Sequence, residues 1–300
     1  MLRAWLPAAL LIATSPLAAQ SRIVMKNSFI ETYKNRVTIT ANYTVDKAHR
    51  GPNTAAKDAD LHIAGRAPEI GLPTVAEIMN AAEDKDAMDK IHEVEGTGTP
   101  VAIAGAWRLW PEHGGADDQV QGAPLEAFDT TNPDHVFEIH PITRVGTFAT
   151  SSSIKWIEGY SPKDAARAFE AFENHRCQLS YNARSKTTTI TTAMIGNNYV
   201  EFVIKLNEAP HTVDDGLMVM AQVLTTDGEL VVHKRRMIFI GGTSEAAAMA
   251  GKKKGDEIHV LGIPRVDLAL VAYRTAHRKS DPEILNWNLP YEMIIVGIVE

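Results

Sequence analysis

The stretch HVFEIHPITRV at residues 135–145 places a glutamate and a histidine, Glu138 and His140, two positions apart. Side chains on a β-strand alternate between faces, so these two share one side and Phe137 and Ile139 take the other. Two further runs repeat the arrangement. In DADLHIAG (58–65) Asp60 and His62 oppose Leu61 and Ile63, and in PTVAEIMNA (73–81) Glu77 opposes Ala76 and Ile78. Imidazole and carboxylate together suit zinc or a similar divalent transition metal. A carboxylate beside an imidazole also orients it as a general base. Asp60, His62, Glu77, Glu138 and His140 are therefore the candidate ligand-binding residues, with His62, His140 and Glu138 as candidate metal ligands. His113 and Asp117, in the loop before 135–145, are further candidates. The competing expectation is a solvated strand face, where an acid–histidine pair is worth about 0.2–1 kcal/mol and needs no function.

These residues depend on the elements that hold them. NRVTITANYTV (35–45) alternates Val37, Ile39, Ala41 and Tyr43 with polar residues, the pattern of a half-buried strand. The runs at 58–65 and 73–81 follow, separated by a turn at Gly71–Pro73. EDKDAMDKIHEV (83–94) is charged and rich in helix formers, with Ala87, Met88 and Ile91 at helical spacing. GTGTP stops that helix. VAIAGAWRLW (101–110) and HVFEIHPITRV supply two more strands, on either side of a loop rich in Gly, Pro and Asp.

The resulting order over 35–146, β-β-β-α-β-β, resembles the OB-fold, a five-stranded, partly open Greek-key barrel. The resemblance is carried by element order rather than by a residue motif. It implies that the second strand pairs with the third and that the third meets the fifth. Small barrels fill with apolar alternates, so Leu61, Ile63, Ala76, Ile78, Phe137 and Ile139 are expected inside. The five polar residues then fall on one contiguous outer face, the surface on which OB-folds commonly bind ligands. Neighbouring strands lie about 4.8 Å apart, close enough for such side chains to converge on one ion.

Beyond the first unit, SPKDAARAFEAFENHRC (161–177) predicts an amphipathic helix with Ser161 as cap and Ala165, Phe169 and Phe172 as its apolar stripe. KTTTITTAMIGNNYVEFVIKL (186–206) reads as a hairpin turning at Gly196–Asn198. Residues 213–300 repeat the first unit's order, with three strand-like runs over 216–242, a short helix at TSEAAAMAGKKKG, and two closing strands. VAIAGAWRLW and IHVLGIPRVDL share alternating aliphatics, a glycine and then an arginine. The expected chain is mainly β with a few helices, as two OB-like barrels joined by a helix and a hairpin. Its divisions are a signal peptide (1–20), a first barrel (21–150), the connecting helix and hairpin (151–212) and a second OB-like unit (213–300). The small polar residues of 147–160 predict an exposed linker. HKRR (233–236) and KKK (252–254) suit an anion, a glycan phosphate or a nucleic-acid backbone, or are solvated ends. Tyr273, Trp287 and Tyr291 supply aromatics that stack on a base or sugar, or plug a barrel end.

The N-terminus MLRAWLPAALLIATSPLAAQS opens with Arg3, runs apolar from Ala4 to Ala13 and ends in small residues. That is the order of a secretory signal peptide, cleaved after Ala19 or Gln20. The apolar run is shorter than the roughly 20 residues of a membrane span, and no second one follows. One cysteine, Cys177, cannot form an internal disulfide. A net charge of −7 argues against a nucleic-acid surface. There is no P-loop, G-x-S-x-G, H-E-x-x-H or C-x-x-C. The sequence therefore leads to an exported protein, periplasmic or secreted, that binds a small ligand or an extracytoplasmic protein, with no catalytic residue assigned. The alternative is a metal-dependent hydrolase of phosphodiesters or other esters, using the outer face of the first barrel and a divalent metal such as zinc.

Overall fold

The computed structural model describes residues 20–280 and 283–299, so the expected signal peptide lies, but for Gln20, outside the described residues. The chain begins with β1 (Gln20–Lys26), α1 (Asn27–Tyr33), β2 (Thr38–Ala48), β3 (Leu61–Arg66) and β4 (Thr74–Ile78). Next come α2 (Lys85–Val94), β5 (Val101–His113), the short β6 (Gln119–Val120), β7 (His135–Val145) and β8 (Phe148–Ala149). The middle holds β9 (Lys163–Asp164), α3 (Ala165–Asn174), β10 (Arg176–Asn182) and β11 (Thr187–Ala193). It is followed by β12 (Val200–Leu206), β13 (His211–Val213), β14 (Gly216–Leu224), β15 (Leu230–Ile240) and α4 (Ser244–Ala248). The chain ends with β16 (Glu257–Val266), α5 (Leu268–Ala276), β17 (Ile284–Asn288) and β18 (Tyr291–Ile298).

Two closed five-strand barrels dominate. β2, β3, β4, β7 and β5 pair in that order and close, all antiparallel except the parallel pair β4–β7. β12, β14, β15, β18 and β16 close in the same way, with β15–β18 as the parallel pair. In each barrel one helix, α2 or α4, lies between the third and fourth strands. Leu61, Ile63, Ala76, Ile78, Phe137 and Ile139 are all 0% exposed, as their alternation requires. Gly105 lets β5 and β7 approach: a Cβ there would lie 2.5 Å from the Pro141 carbonyl oxygen. Phe137→Ala should cost about 3–5 kcal/mol, the range for emptying a buried aromatic site. Urea denaturation checks this; an unchanged midpoint would mean that Phe137 is not a core residue.

Three expectations are corrected. Residues 186–206 do not form one hairpin. β11 pairs with β1 and β10, while β12 opens the second barrel. The buried faces explain the split: Ile190 joins Ile23, Met25 and Leu179 under a third sheet, whereas Val200, Phe202, Ile204 and Leu206 belong to a barrel strand. That third sheet has the order β17-β10-β11-β1-β6, and its hairpin is β10–β11. Second, 216–242 holds two long strands, β14 and β15, joined by a turn at which Gly228 has φ 92°. Third, 147–160 is no exposed linker: Thr150, Ser153, Ile154 and Ile157 are all at most 1% exposed. They are covered because the barrels meet there. Ile154 and Ile157 belong to a second apolar core that also contains Met79 and Ala106 from the first unit and Ile238, Leu261, Ile263 and Ile294 from the second.

The local likeness between the two fourth strands has a structural counterpart. Arg108 on β5 and Arg265 on β16 are both 0% exposed. Arg108 pairs with Glu138 on β7, and Arg265 pairs with Glu292 on β18. Arg108 Nε donates to the Pro264 carbonyl oxygen at 2.9 Å, and Arg265 donates to the Trp107 carbonyl oxygen at 3.0 Å. Each arginine thus reaches the residue that precedes the other, so the contact reads alike from either barrel.

Candidate functional site

The strand pairings bring the five predicted polar residues together. His62 on β3 stands opposite Glu77 on β4 in an antiparallel pair. β4 runs parallel to β7 with Ala76 beside Ile139, which carries Glu77 to the neighbourhood of His140. Asp60 stands just before β3. The shared outer face is therefore present, but it is not wet. Asp60 and His140 are 1% exposed, Glu138 2% and Glu77 7%. His62 is half-buried. The cover comes from later in the chain. The Tyr199 hydroxyl donates to Asp60 and lies 2.8 Å from His140 Nε2. Tyr160 packs edge-on against Tyr199. Arg108, on the same face, is held by Glu138, Asn198 and the Pro264 carbonyl.

His140 is the hub. Its Nδ1 lies 3.3 Å from Glu77 Oε2 and 3.4 Å from Glu138 Oε2, and its Nε2 lies 3.4 Å from Asp60 Oδ2. His62 Nε2 is 3.7 Å from Glu77 Oε2 and 3.9 Å from Asp58 Oδ2, too long for hydrogen bonds. Two buried atoms here, Asp60 Oδ1 and His62 Nε2, lack a hydrogen-bond partner among the described residues.

Three buried carboxylates, Asp60, Glu77 and Glu138, share the cluster with the buried guanidinium of Arg108 and the buried imidazoles of His135 and His140. Burial pushes Asp60 up to about 6. Burial acts upward on Glu138 too, but Arg108, His135 and His140 outweigh it and hold Glu138 well below the usual carboxylate range. On His140 burial acts downward, yet the carboxylates of Glu77, Asp60 and Glu138 hold its pKa well above that of a free imidazole.

Asp60, Glu77 and His140 each offer one ligand atom, and these atoms lie within 4.8 Å of one another. The 3.3 Å contact to Glu77 and the 3.4 Å contact to Asp60 are made by different ring nitrogens of His140, so one ion takes one of these nitrogens and draws the other carboxylate toward it. Of the three metal ligands expected from the sequence, only His140 is in this group. Glu138 is occupied by Arg108, and His62 borders the group through Glu77. His113 stacks on His135, and Asp117 is exposed in its loop, so neither joins. Sequence reasoning missed Arg108, Asn198 and Tyr199. A lone arginine in the apolar run VAIAGAWRLW was a readable signal of a buried, paired charge. GNNYVEF carries no such signal.

No protein-family model matches the sequence, and no curated protein matches it. Among solved structures, a chain described as "Structural mimicry for functional antagonism" is similar at 8% identity, over 88% of this chain and 98% of that one. Its TM-score is 0.19, a likeness that carries no argument.

Proposed function

We propose that this chain is an extracytoplasmic binding protein of two OB-like barrels, with a buried divalent-cation centre at Asp60, Glu77 and His140. The observation that carries the cation centre is Asp60 Oδ1, an oxygen without a partner among the described residues, in a residue 1% exposed that faces the donor atoms of Glu77 and His140. A ligating imidazole is neutral, so a divalent cation here takes the place of the positive charge that the carboxylates otherwise hold on His140. The centre is structural in this reading. A catalytic zinc keeps one position open to substrate, whereas Asp60 and His140 are sealed beneath Tyr199. Three protein donors would also suit the hydrolase alternative, and the burial beneath Tyr199 is the observation that favours the structural reading over it.

The OB reading is supported by the strand order, by the parallel third and fifth strands, and by the helix between the third and fourth in both barrels. Export is supported by the N-terminal pattern of charge, apolar run and small residues. Among the described residues no helix is long and apolar enough to cross a membrane. N-terminal sequencing of the soluble protein should start at Gln20 or Ser21; an intact Met1 overturns export. Elemental analysis and calorimetric zinc titration test the centre. The parent protein should take up one ion per chain and His140→Ala none. A parent that binds no divalent metal ends the proposal.

A further inference from the structure

Two runs noted in the sequence, HKRR (233–236) and WNLPYE (287–292), meet at one depression. It encloses about 260 Å³ where α3, α5, β17 and β18 come together, and its lining includes Arg176, Arg235, Arg274, Glu173, Trp287 and Tyr291. We propose that this pocket binds the oxyanion group of a polar, hydroxyl-bearing ligand: a phosphate, sulfate or carboxylate on a sugar-like body. The proposal rests on reading the chain as a binding protein and does not involve the cation centre.

Unbalanced charge carries the argument. Three guanidiniums share the pocket with one carboxylate, Glu173. The arginines at the junction of the barrels are each matched. Arg108 has Glu138, Arg265 has Glu292, and Arg236 has Glu292 and Asp267. Arg274 instead donates to the Asn288 carbonyl oxygen at 2.9 Å and stacks over Trp287 at 4.8 Å, with no carboxylate in salt-bridge range among the described residues. Arg176 is exposed, and its guanidinium has no hydrogen bond or salt bridge among the described residues. Arg235 reaches Glu173 with one arm and lies 4.0 Å over the Tyr291 ring, while its Nε is buried with no partner among the described residues. Burial, with Arg235's charge adding to it, lowers the pKa of Arg274. Each of these features is relieved by an anion. The planar fork of arginine matches carboxylate, sulfate and phosphate geometry, and such charge-assisted bonds are the strong ones.

The neighbouring depression indicates the rest of the ligand. It encloses about 450 Å³, shares Arg176 and Trp287 with the first, and adds Gln178, Thr191 and Asn286. Its lining contains no carboxylate, although the chain as a whole carries a net charge of −7. Amide and hydroxyl groups there suit a hydroxylated body. Trp287, 47% exposed, offers ring surface for it to stack on.

Calorimetric titration of the mature, full-length protein tests this, with inorganic phosphate, sulfate, glucuronate, glucose 6-phosphate and plain glucose as probes. At least one oxyanion should bind saturably, more tightly on a sugar than as the free ion, and the one that binds identifies the group. Arg176→Gln and Arg274→Gln should each weaken binding about tenfold or more. Arg22→Gln, at an arginine already paired with Asp118 elsewhere on the same sheet, should leave it unchanged. Arg176 is exposed, so its variant keeps the fold even if Arg274→Gln does not. Absence of saturable binding by every oxyanion at millimolar concentration overturns the proposal. So does binding that survives the Arg176 substitution, or glucose binding as well as its phosphate. Zinc titration reads the other site, so either proposal can fail while the other stands.

Discussion

Replacing Arg265 with alanine should destabilise the protein by about 3–5 kcal/mol, the cost of breaking one side of a buried ion pair. Few side chains in the molecule are so fully engaged. Arg265 Nε bonds Glu292 at 2.7 Å, and the other guanidinium nitrogens reach the carbonyl oxygens of Val37, Trp107 and Arg36 at 2.9–3.0 Å. Its guanidinium also lies 3.5 Å over the Trp107 ring. Three of these carbonyls belong to the first unit, so alanine both strands Glu292 and unfastens the barrels. Glu292 is fully buried; burial raises its pKa while Arg265 and Arg236 oppose that rise. Without Arg265 the rise grows. A carboxyl whose pKa is higher folded than unfolded holds more protons in the native state, so it costs stability as pH rises through that window. The deficit of the variant should therefore narrow as pH falls from the raised folded-state pKa to the ordinary carboxylate range, and be smallest below it. Adding Glu292→Gln to Arg265→Ala should recover part of the loss for the same reason. Urea midpoints across pH measure all three effects. A variant with the parent's midpoint and slope would show that the junction is not held by this arginine.

The barrels were legible in the sequence because their evidence is local. Alternation in NRVTITANYTV, DADLHIAG and HVFEIHPITRV places each side chain on a face, and the buried set Leu61, Ile63, Phe137 and Ile139 follows directly. Alternation says nothing about partners. β11 looks as ready to pair with β12 as with β1, and only the complete chain shows that Thr187–Ala193 runs against Gln20–Lys26. The third sheet was invisible for that reason: its strands come from distant parts of the chain. The site was half legible. The outward set Asp60, His62, Glu77, Glu138 and His140 could be read from alternation and strand order, but its burial could not. An outward face is wet or dry according to what docks on it, and here Tyr199 and Pro264 do so from far along the chain. The clue that was present lay in Arg108 and Arg265, single charges inside apolar strands. Such a charge is stable only when a partner is buried with it.

Zinc at a hundredfold excess over its dissociation constant should raise the unfolding free energy by about 2.7 kcal/mol, and a chelator should remove the gain. The unfolded chain scatters residues 60, 77 and 140, so the ion binds the native state almost alone. Asp60→Asn separates this reading from a purely electrostatic cluster. Burial pushes Asp60 up to about 6, so its charged form is costly where it sits, and the amide removes that cost. Amide and carboxylate are close in size, and the amide oxygen still accepts from the Tyr199 hydroxyl. The metal-free variant should therefore be at least as stable as the metal-free parent, while the gain on adding zinc should disappear. Those effects have opposite signs, which a general loss of packing cannot produce. The comparison is a pair of thermal or urea unfolding curves, with and without zinc, for parent and variant. Equal zinc gains in the two proteins would remove Asp60 from the centre, and no gain in the parent would remove the centre itself.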